Sequence, residues 1–159
     1  MRLSTRGRYA VMAMAELAAR QRGGGIACTS ETPVSLADIA AAQQLSLAYL
    51  EQLFGRLRRA ELVASARGPG GGYRLARAPQ LIAVAEIVEA VDEPIHATRC
   101  EEGGPGCLDG SKCLTHDLWA ELSEQIRLFL LGVTLADVVA KDVRGRAVAP
   151  GPVAARAAE

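Results

Sequence analysis

The sequence predicts a mainly α-helical chain with one small β-hairpin. Apolar residues recur every three or four positions through several separate stretches, the spacing of helices that bury one face. One glycine-rich turn, Gly68–Gly72, lies between two short runs that suit paired strands. Alanine is abundant, at 29 residues, and aromatic residues make up only 4% of the chain. That composition favours helices packed closely through small side chains.

The first helix is expected to start near Ser4 or Thr5, with Ala10, Val11, Met14, Leu17 and Ala18 on its inner stripe. Gly23-Gly24-Gly25 and Thr32-Pro33 mark a loop from Gln21 to Pro33, which holds Cys28. Ser35, with Asp38 three positions on, reads as the N-cap of a helix through about Gln44. A tight turn follows at Leu45-Ser46, and Ser46 is placed to cap the next helix, Leu47 to about Ala60. Leu47, Leu50, Phe54 and Leu57 form its inner face. Ala48, Tyr49, Glu51, Gln52, Arg56 and Arg59 form its outer face. Two short helices joined by a few residues, the second polar and basic on its outside, make a helix-turn-helix. Leu62–Arg67 and Tyr73–Ala76 read as strands about the glycine turn. A hairpin directly after a helix-turn-helix makes a winged helix, and this wing carries Arg67, Arg74 and Arg77.

Beyond the wing, Ile82, Val84, Ile87, Val88 and Val91 fit a helix that stops before Asp92-Glu93-Pro94. A loop rich in Gly and Cys runs from Ile95 to about Thr115. Leu118, Trp119, Leu122, Ile126, Phe129, Leu130 and Val133 then line one side of a long helix. That side is too apolar for a lone surface helix, so it packs on the winged domain or pairs with its twin in a homodimer. Thr134 with Asp137 caps a short last helix through about Lys141. The Ala/Pro/Gly-rich tail is expected to be disordered. The chain thus divides into a winged helix-turn-helix domain (1–81), a cysteine loop with pairing helices (82–142) and a tail (143–159).

Eighteen basic and eighteen acidic side chains cancel, but unevenly. Residues 1–81 hold 11 Lys/Arg against 5 Asp/Glu, a charge of +6; residues 82–159 hold 7 against 13, a charge of −6. A basic half beside an acidic half suits a double-stranded DNA face and a separate regulatory or assembly part. Sixteen of the 18 cations are Arg, whose planar fork suits phosphate and guanine. No charge-free apolar run is long enough to span a membrane, and the N-terminus lacks a secretory h-region, so a cytoplasmic location is the expectation. An enzyme is not expected: no nucleophile–base pair is evident, and Gly68–Gly72 lacks the Lys-Ser/Thr ending of a phosphate-binding loop.

Three of the four cysteines share one loop in the pattern Cys100-x6-Cys107-x5-Cys113-x2-His116. Glycines at 103, 104, 106 and 110 let that loop wrap a central object. Structural disulfides are disfavoured in a cytosolic chain, so three thiols and an imidazole point first to a metal centre. Such a set suits zinc or an iron–sulfur cluster. Zinc ligands usually pair two to four residues apart, and only Cys113 and His116 are that close, which favours a larger bound object. Metal-free redox thiols are the third reading. An electron-transfer protein would leave the basic half unexplained. Cys28 receives no role, and His96 reads as a surface histidine.

Several motifs together carry a family likeness. They are Met1-Arg2-Leu3 with Gly7-Arg8-Tyr9-Ala10-Val11, the run Leu47-Ala48-Tyr49-Leu50-Glu51-Gln52-Leu53-Phe54, and Arg67-Gly68-Pro69-Gly70-Gly71-Gly72-Tyr73. Ala97-Thr98-Arg99-Cys100 and Lys112-Cys113-Leu114-Thr115-His116 complete the set. In these residues, from Met1 to about Asp142, the chain resembles the IscR regulators of bacterial iron–sulfur cluster assembly. The resemblance implies a winged-helix homodimer that binds pseudo-palindromic promoter sites, with a [2Fe–2S] cluster on each protomer. Its implied ligands are Cys100, Cys107, Cys113 and His116. It also implies repression of cluster-assembly genes when the cluster is present, and control of other promoters without it. A metal-free thiol or zinc-binding redox regulator is the alternative. On the DNA-binding reading, Tyr49, Gln52 and Arg56 contact bases or phosphates beside Ala48, Arg67 tracks the minor groove or backbone, and Ser4 and Arg8 hold phosphates near the first helix. Glu51 accepts from cytosine N4 or rejects sites that oppose it with an acceptor. The resemblance implies that this acid chooses between promoter classes according to cluster state.

Overall fold

A computed structural model of the chain describes residues 5–22, 32–68, 70–91 and 112–144. Helix α1 (Thr5–Arg22) crosses the middle of the fold. Ala10, Ala13, Met14, Leu17 and Ala18 of α1 are buried, and the three alanines let neighbouring helices approach closely. Helix α2 (Leu36–Gln43) starts as expected at Ser35. The Asp38 N–H donates to Ser35 Oγ at 3.1 Å, and the Ser35 hydroxyl donates back to Asp38 Oδ2 at 2.7 Å. Gln44 closes α2 in the left-handed conformation, at φ 53°. Glu16 of α1 joins the two helices, accepting from Arg20 Nε at 2.7 Å and from Gln43 Nε2 at 2.9 Å.

Helix α3 (Leu47–Arg59) follows the tight turn. Ser46 stands at its N-cap in extended backbone, but its side chain makes no capping bond, contrary to expectation. The inner face is also rotated from the expected one. Leu50, Leu53, Phe54 and Leu57 are buried, whereas Leu47 is 42% exposed. Leu47 occupies the first turn, which projects beyond the core, and Leu53 takes the place assigned to it.

The wing is the antiparallel pair β1 (Val63–Ala66) and β2 (Gly72–Leu75), with Val63 opposite Leu75 and Ala66 opposite Gly72. Gly72 therefore belongs to a strand rather than to the turn. Val34, just before α2, pairs with Tyr73 through two backbone bonds of 2.9 and 2.8 Å. Gly72 permits this approach: a Cβ there would lie 2.3 Å from the Val34 carbonyl oxygen. Tyr73 packs edge-on against Phe54, with ring centroids 4.9 Å apart, so the wing is seated on α3.

Helix α4 (Val84–Val91) follows a 3-10 turn at Pro79–Leu81. Helix α5 (His116–Leu131) and the short α6 (Leu135–Ala140) complete the described elements. Thr134 and Asp137 form the expected capping box, and Lys141 ends α6 one residue earlier than expected, at φ 60°. Two backbone bonds, Val84 N–H to Val133 O at 2.9 Å and Leu135 N–H to Ile82 O at 2.8 Å, tie the start of α6 to the start of α4. One core therefore joins α1–α3 with Ile82, Ile87, Val91 and Leu135. Helix α5 stands apart from it: His116 is its only buried residue, and Leu118 is 61% exposed. Of the stripe expected on α5, only Val133, just past its end, is buried. Within a single chain Leu130 packs against Val84, Val88 and Val133, while Leu118, Trp119 and Phe129 stay exposed. No described helix is long and apolar enough to cross a membrane.

Candidate nucleic-acid interface and cysteine site

The outer face of α3 presents Ala48, Glu51, Gln52, Arg56, Arg58 and Arg59 to solvent. Tyr49 is half-buried. Its ring stands edge-on to Tyr9 of α1, centroids 6.1 Å apart at 87°, so α1 braces the first turn of α3. Arg8, one residue from that brace, is exposed. Glu51 makes no ion pair among the described residues, so neither Arg58 nor Arg59 neutralises it. Arg59 Nε instead donates to the Gly55 carbonyl at 3.3 Å. Arg56 has a partner within the fold: its Nη1 donates to the Val91 carbonyl at 2.8 Å. Ser4 lies outside the described residues.

On the wing, Arg67 and Arg74 are exposed. Gly68, next to Arg67, has φ 102°, a backbone that only glycine adopts readily, and it turns the wing tip. Arg77 does not join them as a free wing cation. Its Nη2 donates to Glu86 Oε1 at 2.8 Å and its Nη1 to the Leu81 carbonyl at 3.2 Å. Glu86 Oε2 also accepts from the Ala83 N–H at 2.8 Å. Partial burial raises the Glu86 pKa, but the Ala83 N–H and the Arg77 guanidinium together outweigh it and hold the carboxyl below its ordinary range. The trio clamps the end of the wing to the first turn of α4. The Ala83–Glu86 bond is local, but Arg77 joins it from nine residues away, across the turn at Pro79–Leu81, and nothing local in the sequence flags that reach.

Cys113 and His116 flank the entrance to α5. The His116 N–H donates to the Cys113 carbonyl at 3.0 Å, which folds the two side chains into one turn. The Cys113 thiol is half-buried, in no disulfide, and 3.4 Å from the Thr115 hydroxyl. His116 is buried. Lys112 and Asp117 form an exposed ion pair of 3.7 Å beside them. A thiol and an imidazole are donors that suit zinc or iron–sulfur iron, so this half of the expected ligand set fits such a centre. Cys100, Cys107, His96 and Cys28 lie outside the described residues. Among the described residues, no group of three or more metal-binding side chains assembles.

The profile of the Rrf2 family, described as iron-dependent transcriptional regulators, matches residues 3–141. The chain belongs to the Rrf2 family. Among its Rrf2 relatives, the ORF2 HTH-type transcriptional regulator of Azotobacter vinelandii is 55% identical over 141 residues, covering 89% of this chain and 80% of that protein. The HTH-type regulator IscR of Yersinia pseudotuberculosis is 52% identical over 139 residues, covering 87% and 79%. The solved structure of T. potens IscR superposes with a TM-score of 0.68 at 36% identity, covering 95% of this chain and 94% of that one. CymR, the global cysteine regulator of B. subtilis, gives 0.70 at 33% identity, covering 89% and 98%. This Rrf2 protein is therefore a DNA-binding winged-helix transcriptional regulator, close to IscR, and not an enzyme.

Proposed function

We propose that this regulator measures iron–sulfur cluster supply and represses cluster-assembly genes in the cytoplasm when supply is ample. The observation that carries the proposal is the pairing of an unbridged thiol, Cys113, with a buried imidazole, His116, within one turn at the entrance of α5. The kinship with proteins named IscR, and membership of a family described as iron-dependent regulators, support it. Cys100, Cys107, Cys113 and His116 would hold a [2Fe–2S] cluster. A cluster held by these residues would supply iron ligation joining the 100–107 segment to the start of α5, and its occupancy would report supply.

The chain's own residues do the reading. Helix α3 enters the major groove with Gln52 beside Ala48, Tyr49 contacts a phosphate or a thymine methyl from its brace on Tyr9, and Arg67 follows the backbone or minor groove. Ser4 and Arg8 hold phosphates at the start of α1. Arg56, with one nitrogen given to Val91, has its remaining donors for a phosphate. The exposed apolar residues of α5, among them Leu118, Trp119 and Phe129, pair with a second copy, and the resulting two-fold symmetry matches a pseudo-palindromic site.

Glu51 lies on the reading face with no ion-pair partner among the described residues, which suits a selectivity role. Glu51→Ala is expected to let cluster-free protein bind promoters that otherwise require the cluster. The test is a gel shift of anaerobic and cluster-stripped protein, wild type and Glu51→Ala, on both promoter classes. Wild type should shift one class only when loaded. Identical shifts with and without the cluster would overturn the sensing role; unchanged selectivity in the variant would overturn the role of Glu51.

A further inference from the structure

We infer that Gln21 is a positioning residue for the wing: from the last turn of α1 it fixes the direction of β2, and with it the placing of Arg67 on DNA. The inference rests on the wing contact proposed above and is independent of the cluster.

Alternate N–H groups of a strand point to opposite edges of its sheet. Those of Tyr73 and Leu75 both point away from β1. The Tyr73 N–H donates to the Val34 carbonyl at 2.8 Å, and the Leu75 N–H donates to Gln21 Oε1 at 3.2 Å. Val34 and a side-chain amide of α1 thus stand where a third strand would, and they close this edge of the wing at both residues.

The two ties have different consequences. The Tyr73 ring rests on Phe54 and Val63 is buried, so the hairpin cannot tilt away from the core. Its swing within the plane of the sheet is set at the edge. The Val34 bonds at Tyr73 make one fixed point, a pivot. Gln21 adds a second point at Leu75, two residues or about 7 Å along the strand, and two points define a direction. Tyr73 lies opposite Ser65, and Arg67 lies two residues beyond Ser65, on the far side of the pivot. A swing that moves Leu75 therefore moves Arg67 by a similar distance the opposite way. The same helix carries Tyr9, which braces Tyr49 on α3. Tyr9 and Gln21 are twelve residues apart on α1, a rise of about 18 Å. One rigid rod is thus the reference for both the reading helix and the wing, and it sets the spacing between their contacts on DNA.

Such a role shows in coupling rather than in stability. Kd is measured over a range of salt on a duplex selected from random sequence by the wild-type protein. The proteins are wild type, Gln21→Met and Gln21→Glu, each with and without Arg67→Ala. Methionine keeps the length of glutamine without the acceptor oxygen. Glutamate keeps the acceptor, and the charge it adds cancels within the cycle. In the wild-type background, Arg67→Ala is expected to weaken binding about fivefold or more and to lower the salt slope by about one. In the Gln21→Met background the same change should weaken binding less than about twofold and leave the slope unaltered, and Gln21→Glu should restore most of the Arg67 effect. Amide hydrogen exchange gives a reading without DNA: the Leu75 N–H should lose protection in Gln21→Met and keep it in Gln21→Glu. A full Arg67 effect in Gln21→Met, or an unchanged Leu75 amide, overturns the role of Gln21 alone. An Arg67→Ala protein with the affinity and salt slope of wild type overturns the wing contact itself, and this role with it.

Discussion

Adding one methyl group at two different glycines should move stability in opposite directions. Gly72 faces the backbone of Val34: a Cβ there would lie 2.3 Å from the Val34 oxygen, 2.6 Å from its carbonyl carbon and 3.0 Å from the Ser35 nitrogen. All three are main-chain atoms, so no side chain can rotate away. Relief requires Val34 to separate from Tyr73, which breaks bonds of 2.9 and 2.8 Å. At about 1 kcal/mol net per bond the loss is about 2 kcal/mol, within the usual range for overpacking. For a domain of this size that lowers Tm by roughly 4–8 °C. Gly55 lies in the middle of α3 with nothing within 4 Å of its would-be Cβ. Alanine there restricts the unfolded chain and should add about 0.5–1 kcal/mol, roughly 1–4 °C. Thermal melts of Gly72→Ala and Gly55→Ala at one pH and salt decide the matter. A Gly72→Ala protein that melts at or above wild type would refute the close approach of the wing to Val34. Two shifts of the same sign would show that a general glycine effect, not the local geometry, is being measured.

Thr134→Ala should cost about 0.5–2 kcal/mol in urea unfolding, because it removes the acceptor of the Asp137 N–H at 3.2 Å and one half of the capping box. Glu86 has a folded pKa below its unfolded value, so its contribution is fully present above about pH 5 and is lost as pH falls through the folded value. The Tm gap between wild type and Glu86→Gln should therefore narrow on acidification from about pH 6 to pH 3, and a gap independent of pH would remove the clamp from the stability argument. Leu118→Glu with Phe129→Glu replaces two exposed apolar residues of α5 with charge and should leave a folded monomer in sedimentation, with weakened promoter binding.

Short-range signals were the legible ones. Ser35 with Asp38 and Thr134 with Asp137 announce helix starts because each cap closes within four residues. The hairpin, the helix-turn-helix and the adjacency of Cys113 and His116 follow from spacing alone in the same way. Misreadings arose where the partner is distant in sequence. Arg77 reads as a wing cation because its acceptor, Glu86, lies beyond the next turn, in α4. The brace of Tyr49 on Tyr9 was not legible, because Tyr9 lies forty positions earlier. Gly72 was assigned to the turn because nothing local indicates that Val34 comes to lie against it. Leu47 and Leu53 exchange roles because helical periodicity sets the spacing of a stripe but not where the core ends. Of the expected ligands, only Cys113 and His116 fall within the described residues.

The most direct measurement is the inorganic content of the purified protein, prepared without oxygen, for wild type, Cys113→Ala and His116→Ala. The expected result is iron and acid-labile sulfide in equal amounts with visible absorption in wild type, and loss of both, together with cluster-dependent promoter binding, in Cys113→Ala. Bound zinc in place of iron, or a Cys113→Ala protein with the iron content and promoter preference of wild type, would contradict a sensing centre built on the entrance of α5.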